Sequence, residues 1–228
     1  MAARFPNDIY QHSLFSAFKA GLTSSTGAPC GHLTGYGTHG LGVFPPSHPS
    51  SSGSSYNMLL HDSTDYALSS SGRAVPAPRN AVVPFVMVTR FEPTFRYTVK
   101  SSQKLQKTSL YDEVFNRRAD GRTGGNNSYM PFQVTGGFNT MQLVGEGDAL
   151  EQVKGTVFGI AVPRWGKDIS GEGSRCCFLG EEEEGGKRMG GEVVEFEVGE
   201  GATIEWAVCG HVHLGLPRGQ EWEALDLP

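Results

Sequence analysis

Residues 173–196, GSRCCFLGEEEEGGKRMGGEVVEF, decide how this chain is read. The runs around Cys176-Cys177-Phe178 and Val193-Val194 are short, apolar and bounded by glycine, the pattern of two strands. Between them Glu181–Glu184, followed by Gly-Gly-Lys-Arg, reads as a solvated hairpin tip, the ordinary place for a block of charge. Alternation along a strand sends Cys176 and Cys177 to opposite faces, so one is expected in the core and the other is a candidate to line a cavity.

The same texture extends outward. Strands are expected at 129–135, 155–162, 202–209 and 212–216, with glycines between them. Such spacing predicts a curved or barrel-like sheet. In the first half, VVPFVMVTRF at 82–91 is continuous and β-branched and predicts an interior strand, with Pro84 tolerable near its start. Shorter strands are expected at 56–60 and 65–68. Leu14, Ala17, Phe18 and Leu22 fall at helical spacing and predict a helix over 9–22, and a second is expected over 105–115. Residues 27–42 read as a glycine-rich loop with a turn at Gly40-Leu41-Gly42. PPSHPSSSGSS at 45–55 reads as a flexible insertion, and turns are expected at 120–121 and 124–126.

Composition sets the class. A chain of 228 residues with 38% apolar residues, 31 Gly and 13 Pro fits one β-rich α+β domain, with 1–125 and 126–228 as possible lobes. A net charge of −5 without a basic block argues against nucleic acid as a partner. The N-terminus lacks the apolar core of a signal peptide, and no run approaches the roughly 20 apolar residues of a membrane span. Four cysteines, two of them adjacent, do not make a disulfide scaffold, so a reducing cytoplasm is expected. A small-molecule partner is expected, and a homodimer is left open.

One cluster could hold a metal by residue type alone. Cys209, His211 and His213 share a face if 209–213 is extended, and thiolate and imidazole are zinc ligands. The commoner reading of such a pair is two half-buried polar strand residues. No phosphate loop, G-x-S-x-G elbow or H-E-x-x-H occurs.

Taken in order, several fragments resemble the acetolactate decarboxylase family. They are Asn7-Asp8-Ile9-Tyr10-Gln11 with Ser16-Ala17 and Ala20-Gly21, then Gly40-Leu41-Gly42 with Phe44. Pro84-Phe85 with Val88-Thr89 and Phe91 follows, then Asn116 to Gly121, Gly155-Thr156-Val157-Phe158-Gly159, Gly190-Gly191 with Val193, and Leu216-Pro217. The resemblance implies a fold of curved, mixed sheets with few helices. It also implies a zinc site of three histidines, two in an H-x-H-F element and one in a G-G-H-V strand, which converts 2-acetolactate to acetoin through a metal-stabilised enediolate. Laid onto this chain, H-x-H-F falls on Arg175-Cys176-Cys177-Phe178 and the third histidine falls on Glu192. A family arginine falls near Gln133 and an N-terminal glutamate near Asn57.

Every family ligand is therefore changed. A guanidinium cannot deprotonate to bind metal, so the expected cofactor is none, with zinc as the alternative. Arg175, Cys177 and Glu192 become the catalytic candidates, and Asn57 and Gln133 the substrate-binding ones. The first expectation is a metal-independent isomerase, cyclase or lyase acting on a carbonyl-containing metabolite, in specialised metabolism. In it Arg175 stabilises an enolate and Glu192 or Cys177 moves a proton. The neutral Asn57 and Gln133 imply a substrate less anionic than acetolactate. The alternatives are an acetolactate decarboxylase with a rearranged metal site, and a non-catalytic binding protein. A buried Arg175–Glu192 ion pair that merely fills the vacated site is the structural counter-reading.

Overall fold

The computed structural model describes residues 5–22, 27–45, 57–69, 71–101, 103–110, 127–171, 173–183, 186 and 188–227. The first part of the chain runs β1 (Ile9–His12), α1 (Phe15–Lys19), β2 (Ala28–Pro29), α2 (Cys30–Leu33), β3 (His39–Val43), β4 (Met58–His61) and β5 (Thr64–Leu68). It continues through β6 (Arg73–Pro76), β7 (Val82–Val83), β8 (Phe85–Thr89), β9 (Phe95–Thr98), β10 (Leu105–Gln106) and α3 (Lys107–Leu110). The second part holds β11 (Met130–Leu143), β12 (Leu150–Val162), α4 (Lys167–Ser170) and β13 (Gly173–Gly180). Then come β14 (Arg188–Val198), β15 (Thr203–Trp206), β16 (Val212–Gly215) and α5 (Gln220–Glu223).

Strands β11 to β14 form consecutive antiparallel pairs. The far half of β14 returns to pair with β11, Phe138 opposite Val198 and Met141 opposite Phe196, so the four strands close on themselves. Closure is the barrel-like curvature expected from the sequence, and it removes the exposed edges a flat sheet would leave. Phe132, Phe138, Phe178 and Phe196 form the core of this ring, with Phe138 5.8 Å from Phe178 and 5.5 Å from Phe196 between ring centroids. The opposite face of β12 and β13 carries Phe158, Ile160, Cys177 and Leu179 against Leu41, Leu59, Phe85 and Met87 of the first sheet. That shared layer joins the two halves. Strand β14 also pairs with β6, and β16 runs parallel to β1, so both halves contribute strands to the first sheet.

The structure corrects three local readings. Residues 9–12 are not the start of a helix but strand β1, held between β8 and β16; the helix is confined to Phe15–Lys19. The long strand at 82–91 is broken at Pro84 into β7 and β8, because proline cannot donate to the ladder. Gly40-Leu41-Gly42 is not a turn but the buried centre of β3. A Cβ on Gly40 would meet the Met87 carbonyl oxygen at 2.5 Å, so glycine is required there by close approach of β8. Gly40→Ala is expected to destabilise the fold by about 1–3 kcal/mol, read as a fall in the urea midpoint at unchanged slope.

Within 105–115, Leu105–Gln106 is a strand and Lys107–Leu110 one helical turn, and the remainder lies outside the described residues. The insertion at 45–55, apart from Pro45, and the turns at 120–121 and 124–126 also lie outside them.

Candidate active site

Strand β13 points Arg175 and Cys177 to one face, and its register with β14 sets Cys177 opposite Glu192. The three positions singled out in the sequence are thus brought together. Arg175 Nη1 donates to Glu192 Oε1 at 2.9 Å. The Glu192 side chain is 6% exposed and that of Arg175 is 34% exposed, so a buried carboxylate is held by a cation that reaches solvent. The pair sits in a cleft of about 420 Å³ walled by Phe15 and Val144 and also lined by Lys19 and Lys107. Lys107 is fixed there by donating from Nζ to the carbonyl oxygens of Val193 at 2.6 Å and Val194 at 3.1 Å. Three cations thus face one carboxylate, a balance that favours an anionic ligand.

The other candidates do not line the cleft. Cys177 does not line the cleft: it is fully buried in the layer between the sheets, and burial, reinforced by Glu192, keeps its thiol protonated well above the ordinary range. Cys176, on the other face, is equally buried in the ring core and pushed up to about 12 by desolvation. Neither cysteine is positioned to carry a proton. Asn57 is buried and uses its Oδ1 to accept from the Phe44 backbone N–H at 2.6 Å, so its visible work is to fix the start of β4. Gln133 lies on β11 between Phe158 of β12 and Glu205 of β15, with Nε2 donating to Thr135 Oγ1 at 3.2 Å. Neither residue lines the cleft.

Cys209 and His211 precede β16, and only His213 lies in that strand, so the three do not share a strand face. Cys209 Sγ donates to the His211 carbonyl oxygen at 3.0 Å. Asp8 instead gathers the histidines, its two carboxylate oxygens each 3.3 Å from a ring nitrogen of His211 or His213. The sequence contained Asp8 but gave no sign of its proximity, since the contact depends on the parallel pairing of β1 with β16.

A second histidine cluster, not apparent from residue spacing, lies at one end of the first sheet's β3 and β4. His39 opens β3, His61 closes β4, and Asp62 begins the turn to β5. His39 Nε2 lies 3.3 Å from Asp62 Oδ1, and the two imidazoles are 5.0 Å apart edge to face. Burial lowers His39 from an ordinary 6.5 to about 4, helped by His61 and opposed by Asp62. Burial likewise lowers His61. A histidine depressed in the folded state adds stability above its unfolded pKa, and that stability is lost as pH falls through the folded value. In chelator-containing buffer the chain is therefore expected to lose stability between about pH 6.5 and 4. Asp65, raised by burial from 3.8 to about 6, works in the opposite sense and offsets part of this. His39→Gln should flatten the acid limb in urea melts taken across that window; an unchanged limb would place the acid sensitivity elsewhere.

The residues that the resemblance sets at the ligand positions do not fit zinc. Arg175 has no lone pair to give and is engaged with Glu192, and Cys177 is a buried thiol, leaving one carboxylate as a competent donor.

Comparison with known proteins agrees on the fold. No curated protein matches the chain. The structure is similar to alpha-acetolactate decarboxylase from Bacillus subtilis strain 168 at 20% identity, TM-score 0.79, over 96% of this chain and 93% of that one. It is similar to acetolactate decarboxylase from Bacillus subtilis subspecies spizizenii at 20% identity, TM-score 0.80, over 97% and 94%. A Staphylococcus aureus protein of unknown function, described as similar to alpha-acetolactate decarboxylase, matches at 16% identity, TM-score 0.79, over 97% and 95%. Among the described residues no helix is long and apolar enough to cross a membrane. The family profile for alpha-acetolactate decarboxylase matches residues 9–145 and 146–228, and the chain belongs to that family.

Proposed function

We propose that this chain is a small-molecule enzyme that works in the Arg175–Glu192 cleft on a small carbonyl-containing carboxylate, without a metal at that site. The observation that carries the reading is a buried carboxylate paired to a solvent-reaching guanidinium, in a cleft with two further cations. Lys107 and Lys19 attract and hold the substrate carboxylate. The fixed positive charge of Arg175 stabilises an oxyanion developing on the substrate carbonyl. Glu192 accepts a proton from the carbon beside that carbonyl while the C–H electron pair moves toward the oxygen. Return of the proton to a different atom completes an isomerisation. Loss of carbon dioxide from a carboxylate beta to the carbonyl would use the same oxyanion stabilisation, with the proton delivered to the carbon afterwards, as a lyase.

The test is to incubate the full chain in D2O with racemic 2-acetolactate and, separately, with small 2-oxo acids, following the substrates by proton NMR. Deuterium incorporation beside the carbonyl, or a rearranged or decarboxylated product, is expected with at least one of them. Saturable binding of these anions with neither exchange nor product would make the cleft a ligand-binding site instead.

A further inference from the structure

We propose that His39, His61 and Asp62 form a binding site for a divalent first-row transition ion, zinc foremost, separate from the Arg175–Glu192 cleft. Among the described residues this is the one group of three such donors whose ligand atoms all lie within 4.8 Å of one another. Two ligands about 2.0–2.1 Å from a tetrahedral ion stand about 3.3 Å from each other. His39 Nε2 and Asp62 Oδ1 are 3.3 Å apart, and His61 Nδ1 and Asp62 Oδ2 are 3.6 Å apart. An ion would draw the three ligand atoms from within 4.8 Å to about 3.3 Å of one another.

The local chain prepares the site. Asp62 and Ser63 both have positive φ, 46° and 65°, as a two-residue type I′ hairpin turn requires, and aspartate is among the residues that tolerate it. Ser63 N–H donates to the Thr38 carbonyl oxygen at 3.0 Å, pinning the turn beside His39. His39 Nδ1 lies 2.9 Å from Thr38 Oγ1. If Nδ1 carries the proton and donates there, Nε2 presents its lone pair toward Asp62, the outer-shell support that metal-bound histidines usually have. The His39 ring is held from the other side by Phe91 and Phe158, at 5.6 and 5.1 Å.

The burial of His61 is a second observation. His61 Nε2 is buried without a hydrogen-bond partner, and its Nδ1 is 3.6 Å from the nearest carboxylate oxygen, beyond hydrogen-bond reach. Its side chain is only 14% exposed, so the ring has given up water for contacts that do not replace it. A metal ion would give Nδ1 the close partner that Asp62 does not, with the ring proton left on Nε2. Asp62, 76% exposed, keeps one side of the site open to solvent, which leaves a coordination position for water or a ligand atom. The ion would clamp the β4–β5 turn onto the start of β3.

The full chain, stripped with EDTA and dialysed, is titrated with CoCl2 and then ZnCl2, following cobalt d–d absorption and zinc-dependent thermal stability. One ion per chain is expected, with a higher melting temperature in zinc. His61→Gln and Asp62→Asn, the second compatible with the positive-φ turn, should each weaken binding at least about tenfold. A His211→Asn/His213→Asn variant should bind as the parent does. Absence of saturable binding, binding untouched by both His61→Gln and Asp62→Asn, or loss confined to the His211/His213 variant overturns the proposal. Because neither Arg175 nor Glu192 is altered, failure here leaves the reading of the cleft standing.

Discussion

Glu192→Gln should lower turnover about 10²- to 10⁴-fold, the usual contribution of a positioned acid–base group, with the circular dichroism spectrum unchanged. The substitution keeps the shape of the side chain and an oxygen for Arg175 Nη1, now 2.9 Å from Glu192 Oε1, but removes the carboxylate proposed to accept the proton. Arg175 does not become a buried orphan, because its side chain is 34% exposed and can be solvated. The loss should therefore appear in kcat rather than in folding. A merely structural ion pair predicts the reverse, with stability affected and exchange chemistry intact.

Arg175→Met should have the largest effect on stability, toward the lower end of the about 3–5 kcal/mol typical of breaking a buried pair. The reason is asymmetry. Glu192 is 6% exposed, so deleting Arg175 leaves a desolvated carboxylate, whereas deleting Glu192 leaves a guanidinium with access to water. Arg175→Met/Glu192→Met should recover most of the loss, since the buried charge goes with its partner. Urea denaturation of the parent, the two single variants and the double variant measures the coupling. Equal stability of Arg175→Met and the parent would mean that the guanidinium does not support Glu192 in solution.

What the sequence disclosed follows from where the structural information lies. Strands β12–β14 and the first half of β11 were legible because each carries its own apolar run, as in Val157–Val162 and Cys176–Leu179, whereas the second half of β11, which closes the ring on β14, was not. Strand β1 was not, because Leu14, Ala17, Phe18 and Leu22 give a true helical spacing that extends too far toward the N-terminus when only neighbours are considered. What makes Ile9–His12 extended is pairing with β16, some two hundred residues away. Gly40 and Gly42 misled for a related reason: glycine signals a turn locally, but here it answers the approach of β8.

The site divides the same way. Arg175, Cys177 and Glu192 were found together through the family resemblance, and the register of β13 with β14 does bring them together. The burial of Cys177 and the presence of Lys107 and Lys19 were beyond reach, since they depend on which sheet covers which face and on where the short turns α1 and α3 sit. His39 and His61 were separated in the sequence by a presumed loop and insertion. Once Gly40 is known to pair with Leu60, the register one step further sets His39 beside His61, and the cluster could have been anticipated.

The central claim is that the Arg175–Glu192 cleft performs its chemistry without a metal. The most direct measurement is the NMR exchange and product assay on a substrate that the parent turns over, repeated after EDTA treatment and again after adding zinc. The His61→Gln/Asp62→Asn variant should accompany it, so that an ion at the hairpin cannot confuse the result. The account predicts the same rate in every condition and in that variant, with loss in Glu192→Gln. A rate that falls on chelation and returns with zinc would contradict it.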